Sequence, residues 1–426
     1  MKIDKNQLVK VIDFWQKNIS TAKLYNRDIL NKIALNSKEI IDLTGVRRSG
    51  KSSIFKLIIQ QLNLKNNFLY INFEDPFFIA YNDPNIIDEI IAIFKEYFNS
   101  KLDYLFFDEI QEIEYWEKAV RKLRDAENYK IFITGSSSKL LSGEIASLIT
   151  GRHISYNIYP LNFEEFLNFN NLEINTKKDV LLKDKKILKL FDEYIKIGGF
   201  PEAVLTKSYE LLKNYFYDIL QKDIVMRYNI REKDILEKMA VYILSNSGKI
   251  ISVETLKTLF NISFNLVSSY LTYFKEAFLI FEVSQFSYSL KKQHKALKKM
   301  FSIDTGLSNA VSFKFSEDKG RALENIVFLE LKNRGLDIYY YKTKNNLEVD
   351  FFITEKTKPK QIIQVSWTLE YKKTKDREIK ALLNAMSEIN LNEGLIITYN
   401  EEDFIEINNK TITIKPFYKW INDKYF

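Results

Sequence analysis

The sequence contains no cysteine and only two histidines in 426 residues. The absence of cysteine excludes disulfides, thiolate nucleophiles and cysteine-ligated zinc or iron–sulfur sites. His153 and His294 are too few for a histidine-ligated metal centre, and each is expected to be an ordinary surface or strand residue. No run of about 18 uncharged apolar residues occurs, and the first residues lack the apolar core of a signal peptide. We therefore predict a soluble, cytoplasmic protein with no membrane partner.

The excess of positive charge is small. Lysine and arginine number 63 against 56 acidic residues, and the net charge of +7 does not by itself indicate a nucleic-acid binder. Basic residues concentrate at 291–299, beside Tyr288 and Phe301. This run either contacts phosphates or forms a solvated loop. The hydrophobic content of 46% is ample for burial, and the length predicts two or three domains.

Residues 45–52 read Gly-Val-Arg-Arg-Ser-Gly-Lys-Ser, a complete loop of the G-x-x-x-x-G-K-[ST] type. An apolar run at 40–43 precedes it and a stretch with helical spacing at 54–62 follows, which is the strand–loop–helix setting that the motif needs. The glycines let backbone N–H groups surround a β-phosphate at a helix N-terminus. Lys51 is placed to reach the β- and γ-phosphates, and the Ser52 hydroxyl to bind Mg²⁺. The predicted nucleotide-binding residues are Gly45, Arg48, Ser49, Gly50, Lys51, Ser52 and Ser53.

A second short apolar run, at 102–107, ends in Asp108 and Glu109. Such a run is typical of a strand buried on both faces of a parallel sheet. An acidic pair at a strand end is by itself consistent with a solvated turn, but downstream of a phosphate-binding loop it predicts a catalytic site. Asp108 would hold Mg²⁺, directly or through water, and Glu109 would act as the base that orients the attacking water. An acid at position 109 favours an ATP hydrolase over a kinase or a phosphate-binding switch.

Two further segments contain candidate catalytic residues. The run 129–134 reads as a buried strand that ends in hydroxyl residues, and Thr134 and Ser136 are candidate sensors of the γ-phosphate. The alternative is that they are simple turn residues. Arg152 follows Gly151 just before another strand-like segment. Arg152 either reaches the nucleotide of a neighbouring subunit as an arginine finger or pairs with a surface acid.

In combination, these motifs resemble a known group of proteins, the AAA-type P-loop ATPases of bacteria and archaea that carry a C-terminal DUF4143 domain. The segments that carry the resemblance span nearly the whole chain: 45–52, 108–111, 134–136, 151–152, 160–166, 198–202, 304–307 and 324–367. The pairing of Pro-Leu-Asn-Phe-Glu-Glu-Phe at 160–166 with Gly-Gly-Phe-Pro-Glu at 198–202 is the most specific part. The resemblance implies an ATPase with a helical lid, followed by a winged-helix segment and a tail with a nuclease-like fold.

We predict an α/β protein in four parts. Residues 1–160 form a P-loop ATPase core, in which short apolar strands alternate with amphipathic helices and predict a parallel sheet covered on both faces. Residues 161–234 are almost entirely helical, and by the resemblance they form the lid. A winged-helix-like domain at 235–316 and a restriction-endonuclease-like domain at 317–426 complete the chain.

The winged-helix prediction rests on three helices and a strand between residues 236 and 283, with a short turn before the third helix. In a DNA-reading version this third helix would present basic and amide side chains to the major groove. Its exposed positions are Asn265, Ser268, Ser269, Thr272 and Lys275, and only Lys275 is a cation. We therefore favour a protein-contact or structural role, with DNA contact through the basic run at 291–299 as the alternative.

Glu324, Asp350 and Gln364 resemble the acidic positions of a restriction-endonuclease-like fold. Active members carry a lysine two residues after the third position, where it helps to orient the attacking water. Here that position is Ser366, whose hydroxyl supplies no positive charge. We expect no nuclease activity, although Glu324, Glu348 and Asp350 can still hold a metal. We interpret the domain as one retained for binding or assembly.

The functional hypothesis is an AAA-type ATPase that binds ATP or ADP with Mg²⁺ and couples turnover to a conformational change on a macromolecular partner. A homo-oligomer is expected, because Arg152 would act across a subunit interface. Two partners are left open: a protein, for a nucleotide-dependent interaction switch, or a nucleic acid, for a DNA-binding ATPase related to nucleases.

Overall fold

A computed structural model describes residues 3–19, 24–126, 128–135, 151–312, 318–356 and 358–423. The chain divides into two compact units. The first comprises Met1–Tyr159 with Glu276–Phe278, and the second comprises Pro160–Lys275 with Leu279–Phe426.

The first unit is built on a five-stranded, fully parallel sheet with the strand order β2-β3-β4-β1-β5. The strands are β1 (Ile40–Thr44), β2 (Phe68–Asn72), β3 (Tyr104–Asp108), β4 (Lys130–Gly135) and β5 (His153–Asn157). The α-helices described in this unit are α1 (Lys5–Asn18), α2 (Lys51–Gln61), α3 (Asn85–Tyr97) and α4 (Trp116–Asp125). Short 3₁₀ segments lie at Asp28–Asn31, Pro76–Tyr81 and Ile110–Glu112.

Helices cover both faces of this sheet, because successive strand residues point to opposite sides. Along β3, Leu105 and Phe107 pack into a hydrophobic cluster with α1, α3 and α4. Phe106, between them, packs into a second cluster with α2. All three side chains are fully buried. The predicted parallel sheet of a P-loop ATPase is confirmed.

The second unit begins with a helical stretch. Its members are α5 (Phe163–Phe169), α6 (Lys177–Leu182), α7 (Asp184–Ile197), α8 (Pro201–Thr206) and α9 (Tyr209–Asp218), which continues as a π-helix over Ile219–Met226. A capping box closes the start of α5, since Asn162 and Glu165 each bond the other's main-chain N–H through their side chains. Gly198 and Gly199 form the predicted break between α7 and α8.

Four more helices and three strands follow, and two of these strands form a hairpin. They are α10 (Lys233–Ser245), β6 (Ile250–Ile251), α11 (Val253–Phe260), α12 (Phe264–Glu276), β7 (Ile280–Gln285), α13 (Leu290–Lys295) and β8 (Lys298–Ser302). The order of α10, α11, α12 and β7 is the one that the sequence predicts, whereas β6, α13 and β8 were not predicted. The hairpin pairs β7 with β8 antiparallel, and β6 adds to the other side of β8. The basic run at 291–299 therefore occupies the connection between β7 and β8 and the first residues of β8.

The rest of the chain continues the same sheet. It contains α14 (Thr305–Val311), α15 (Lys319–Asn333), β9 (Asp337–Lys342), β10 (Glu348–Glu355), β11 (Lys358–Val365), α16 (Lys372–Ile389), β12 (Glu393–Thr398), β13 (Asp403–Ile407), β14 (Lys410–Pro416) and α17 (Phe417–Ile421). The sheet has nine strands in the order β13-β14-β12-β11-β10-β9-β7-β8-β6. Ser284 of β7 pairs with Tyr339 of β9, so the hairpin and the C-terminal strands are hydrogen-bonded to each other. The sequence suggests no such pairing across the predicted boundary at 316.

Apolar side chains on one face of the C-terminal strands pack against α16. Val349 and Phe352 of β10, Ile396 of β12 and Leu382 and Met386 of α16 belong to one buried cluster. None of the helices in the described ranges combines the length and the apolar character that a bilayer-spanning segment needs.

Candidate nucleotide site

The loop 45–52 turns sharply between the C-terminal end of β1 and the start of α2. Gly50 has a φ of +96° and Arg48 one of +69°, so the loop passes twice through the left-handed region that favours glycine. A β-carbon on Gly45 would lie 2.1 Å from the carbonyl oxygen of Ile158, so only glycine fits there. Lys51 is the first residue of α2, and the free N–H groups of that helix end face the loop.

The Lys51 side chain is buried, with 4% of its surface exposed. Its Nζ donates to the carbonyl oxygens of Gly45 at 3.1 Å and Val46 at 3.3 Å. The same atom lies 3.9 Å from Glu109 Oε1. The loop lysine and the predicted base therefore face each other at the end of the central strands.

Asp108 is fully buried and is held by hydrogen bonds at both carboxylate oxygens. Thr134 Oγ1 donates to Oδ1, and the Tyr70 hydroxyl donates to Oδ2 at 2.8 Å. Burial raises the pKa of Tyr70 far above its usual value, and the Asp108 charge raises it further. Tyr70 therefore stays a neutral donor. The two contacts come from β2 and β4, the neighbours of β3 on each side.

Glu109 begins the turn after β3 with a φ of +51°, a conformation that few non-glycine residues adopt. Its main-chain N–H donates to Thr134 Oγ1 at 3.0 Å, and Gln111 Nε2 donates to its Oε2 at 2.6 Å. Burial raises the pKa of the Glu109 carboxyl, and the nearby Lys51 charge partly offsets this effect. A raised pKa makes the ionised carboxylate a stronger base.

Arg27 holds the loop through hydrogen bonds, and no sequence motif indicates it as a site residue. Its guanidinium is buried and donates from Nη1 to the Ser49 carbonyl at 3.0 Å and from Nη2 to the Tyr159 carbonyl at 2.8 Å. Tyr70 and Gln111 were likewise missed as site residues. A single arginine, tyrosine or glutamine carries no local signal, because its role depends on contacts with residues far along the chain.

The other predicted loop residues lie where the motif places them. Ser49 is a buried residue of the loop, and its main-chain N–H donates to the Val46 carbonyl at 3.2 Å. Ser52 and Ser53 occupy the first turn of α2. Thr134 uses its hydroxyl hydrogen on Asp108, so its role as a γ-phosphate sensor stays a prediction. Ser136, the second predicted sensor, lies outside the described residues.

Arg152 lies at the N-terminal end of the parallel strands, whereas the loop follows the C-terminal end of β1. Its carbonyl accepts from the N–H of Ile40, the first residue of β1, whereas the loop follows Thr44 at the other end of that strand. Four residue steps along a strand span about 13 Å. Arg152 Nε donates to Asp125 Oδ1 at 3.0 Å. Arg152 therefore lies away from the loop of its own chain, and its role as an arginine finger stays a prediction.

The oxygen atoms beside the loop fit a Mg²⁺ ion that arrives with a nucleotide. The described ranges hold no group of three or more His, Asp or Glu side chains arranged to bind a metal by themselves. In nucleotide sites, however, Mg²⁺ takes only one or two protein oxygens and fills its other positions with phosphate and water. The Ser52 hydroxyl and the Asp108 carboxylate are of the required type.

A second group of predicted residues meets in the second unit. Glu324 of α15 and Asp350 of β10 converge with Glu348 on the ammonium of Lys299, a residue of β8. Gln364 instead joins Asp350 to Glu378. Its Oε1 accepts from the Asp350 main-chain N–H at 3.3 Å, and its Nε2 donates to the Glu378 carboxylate at 2.6 Å. Lys299 had been grouped only with the basic run.

Three parts of the chain match known protein families. Residues 37–167 match an AAA domain, residues 188–318 a domain of unknown function, DUF8612, and residues 319–420 the domain of unknown function DUF4143. The middle match covers the later part of the predicted lid and the predicted winged-helix segment, and the sequence motifs do not predict it.

Relatives are found in archaea and bacteria. The chain is 42% identical over 420 residues to the uncharacterized protein MJ1544 of Methanocaldococcus jannaschii, covering 94% of this chain and 91% of that protein. It is 32% identical over 339 residues to an uncharacterized protein of Haemophilus influenzae, covering 77% and 82%. Among solved structures, the Aeropyrum pernix ORC1 protein in complex with DNA aligns over 72% of this chain and 90% of that chain, with 10% identity and a TM-score of 0.29. That similarity is too weak to support a conclusion about this chain.

The relative MJ1544 aligns with 94% of this chain. The AAA and DUF4143 matches lie in its N-terminal and C-terminal parts, where the predicted motifs of each also lie. The chain therefore belongs to the family of proteins that join an AAA domain to a C-terminal DUF4143 domain.

Proposed function

We propose that this protein is an ATP hydrolase whose active site lies at the C-terminal ends of β1 and β3. The observation that carries the proposal is the approach of Lys51 Nζ to within 3.9 Å of Glu109 Oε1, beside the twice-bonded carboxylate of Asp108. A cation that can neutralise phosphate and a carboxyl that can take a proton from water are thus brought to one point.

Each residue has a separate task in this proposal. The loop N–H groups and Lys51 bind the phosphates, and Ser52 and Asp108 hold Mg²⁺, which neutralises charge on the phosphate oxygens when it is bound. Glu109 orients the attacking water and accepts its proton. Tyr70 and Thr134 fix the direction of Asp108.

Two variants test this assignment. Lys51→Ala removes phosphate neutralisation, so we expect tight ATP binding to be lost. Glu109→Gln keeps the shape of the side chain but cannot take a proton, so we expect near-normal ATP binding and turnover at least about 10²-fold slower. Steady-state phosphate release and binding of a fluorescent ATP analogue measure the two quantities. Near-normal affinity in Lys51→Ala, or near-normal turnover in Glu109→Gln, would overturn the proposal.

We further propose that the protein works as a homo-oligomer in the cytoplasm, with Arg152 completing the site of a neighbouring copy. Its position at the opposite end of the parallel strands from its own loop supports this arrangement. An equimolar mixture of Arg152→Ala and Lys51→Ala subunits should then recover activity that neither has alone, because some interfaces combine an intact loop with an intact arginine. No recovery would assign Arg152 to its local pair with Asp125.

Turnover is proposed to drive a conformational change in the second unit that acts on a macromolecular partner. In this reading residues 161–234 are the lid, 235–316 a winged-helix-like domain and 317–426 a restriction-endonuclease-like domain without nuclease activity. A protein partner is favoured, because the single cation of α12, Lys275, is used in a 2.9 Å ion pair with Glu282.

DNA is the second candidate partner, and one observation favours it. Lys291, Lys292 and Lys295 are all exposed on α13, at the tip of the β7–β8 hairpin, with Tyr288 exposed beside them. Such a tip can enter a groove and contact phosphates.

Hydrolysis measured at low and high salt, with and without single- and double-stranded DNA, separates the two candidates. A DNA partner requires stimulation that fades as salt rises and that is lost when Lys291, Lys292 and Lys295 are replaced by alanine. Replacement of the exposed residues Lys185, Lys186 and Lys189 of α7 is the control, because it removes the same charge elsewhere. A rate that DNA leaves unchanged supports a protein partner.

A further inference from the structure

Three carboxylates of the second unit surround one buried ammonium. Lys299 Nζ lies 2.7 Å from Glu324 Oε1, 2.9 Å from Glu348 Oε1 and 2.9 Å from Asp350 Oδ1. Lys299 comes from β8 in the hairpin, whereas its partners come from α15 and β10. A single side chain therefore crosses from the hairpin to the part of the chain that resembles a nuclease.

The surroundings keep Lys299 charged. Only 1% of its side chain is exposed, and burial alone would lower the pKa of the amine. The negative charges of Asp350, Glu324 and Glu348 outweigh this effect and hold the pKa of Lys299 well above its usual value. An ammonium has three N–H donors, which equals the number of carboxylates around it.

The ammonium occupies the position that a divalent cation would need. A metal ion bound by these three side chains would have to lie within about 2.0–2.6 Å of their oxygens. Lys299 Nζ already lies within 2.9 Å of all three, so ion and ammonium cannot share the space. Carboxylates are the ligand type that hard divalent cations prefer, but the cation that these three surround is part of the protein.

Neither of the remaining predicted residues supplies another cation or a free ligand. The Gln364 amide is bonded to the Asp350 N–H and to Glu378. The Ser366 hydroxyl donates to the Thr368 carbonyl at 2.9 Å, within its own loop.

We propose that Lys299 is a built-in replacement for a divalent metal ion in a site formed by Glu324, Glu348 and Asp350. The replacement ties the β7–β8 hairpin to α15 and β10 without any metal. Because Lys299 occupies the site, the three carboxylates cannot bind a metal ion that would activate water. The C-terminal part therefore does not hydrolyse phosphodiesters. Removal of the lysine side chain alone should convert the cluster into a divalent-cation site.

The test is Mn²⁺ binding to the nucleotide-free full-length chain, followed through the electron paramagnetic resonance signal of free Mn²⁺. Wild-type protein should bind no Mn²⁺ that depends on Glu348. Lys299→Ala should gain one saturable site, and Lys299→Ala combined with Glu348→Gln should lose it again. Lys298→Ala is the matched control, because that neighbouring lysine is bonded to Ser284 Oγ and lies outside the cluster.

Either of two results would overturn the proposal: wild-type Mn²⁺ binding that Glu348→Gln abolishes, or folded Lys299→Ala protein that binds no Mn²⁺. Lys299→Ala leaves three carboxylates close together, so it can fail to fold in buffer. Recovery of its circular dichroism by Mn²⁺, but not by potassium chloride at equal ionic strength, then supports the proposal. Failure of Mn²⁺ to restore the fold contradicts it.

Discussion

Thr134 accepts a 3.0 Å hydrogen bond at its side-chain oxygen from the main-chain N–H of Glu109. The same hydroxyl donates to Asp108, so one side chain on β4 fixes both acidic residues at the end of β3. All three residues are buried, and the contacts are therefore shielded from competing water. The geometry of the acidic pair is determined by the neighbouring strand as much as by its own sequence.

Thr134→Val should separate catalysis from nucleotide binding. Valine has nearly the same shape but leaves a buried N–H and a carboxylate oxygen without this partner, which costs about 1–3 kcal/mol for each group. We expect turnover to fall by about 10-fold or more through misplacement of Glu109, with the Kd for ATP little changed. Thr134→Ser, which keeps the hydroxyl, should retain most of the activity. Equal losses in the valine and serine variants would contradict this role.

Gln111→Leu should change the pH dependence of hydrolysis. Burial raises the pKa of Glu109, and the hydrogen bond from Gln111 lowers it. Glu109 must be ionised to act as a base, so kcat rises as pH passes upward through this pKa. Without Gln111 the pKa rises further, and the ascending limb of the kcat profile should move to higher pH. The ratio of wild-type to variant kcat should then shrink as pH rises.

The Gln111→Glu variant sharpens this comparison. A second carboxyl beside Glu109 disfavours its ionisation by charge repulsion, whereas leucine only removes a hydrogen bond. The ascending limb should therefore lie at the lowest pH for wild type, and the leucine variant should move it upward. The glutamate variant should move it at least as far. Profiles that coincide in shape would mean that Glu109 does not act as the base.

The sequence predicts those site residues that belong to a motif within one continuous segment. Lys51 and Ser52 follow from a loop motif, and Asp108 and Glu109 follow from their place at the end of an apolar strand. Local structure determines their positions, because each follows from a strand, a turn or a helix end. The parallel sheet was predictable for the same reason, because its strands are short apolar runs between helices.

Contacts between distant segments were not predictable. Tyr70 reaches Asp108 from β2, and Lys299 reaches Asp350 from a strand that pairs through β7 with β9. Ser366 predicts that the usual position lacks a cation, but the sequence could not indicate that Lys299 of another strand lies among the carboxylates. Pairing of strands across a predicted boundary depends on the packing of the whole unit, and a single sequence carries no local pattern for it.

Arg27→Met should weaken nucleotide binding although Arg27 lies beneath the loop. The arginine joins the Ser49 and Tyr159 carbonyls, so its loss leaves both buried acceptors short of a donor and frees the loop from the end of β5. If the loosened loop costs about 1.4 kcal/mol of binding, the Kd for ADP rises about tenfold. Isothermal titration calorimetry with ADP measures this change.

Arg124→Met is the matched control for that experiment. Arg124 is a partly buried arginine of the same unit, and its Nη2 lies 2.9 Å from Glu39 Oε1, close to the start of β1. We expect its loss to lower the thermal unfolding midpoint without changing the Kd for ADP. If both variants bind ADP equally weakly, the effect of Arg27 is one of general stability. Arg27→Lys should fall between wild type and methionine, because an ammonium lacks the planar fork that reaches two carbonyls.

Asp304 should make the stability of the second unit depend on pH. Its buried carboxylate accepts from the N–H groups of Gly199 at 2.7 Å and Leu307 at 2.8 Å, and thereby joins the turn after α7 to the start of α14. Burial raises the pKa of Asp304 to about 7, although these hydrogen bonds act against the rise. Unfolded, the group would titrate near its ordinary value of 3.8.

The sign of the effect follows from proton binding. Between about pH 4 and pH 7 the folded chain holds a proton that the unfolded chain has released, so stability falls with rising pH in this window, by at most about 1.4 kcal/mol per pH unit from this group. Asp304→Asn cannot titrate and should lack this contribution. The thermal midpoint of wild type minus that of the variant should therefore decrease from pH 5 to pH 7 and then level off above pH 8. A difference that stays constant from pH 5 to pH 8 would mean that Asp304 is already ionised in the folded protein, and a difference that grows with pH would contradict the raised pKa.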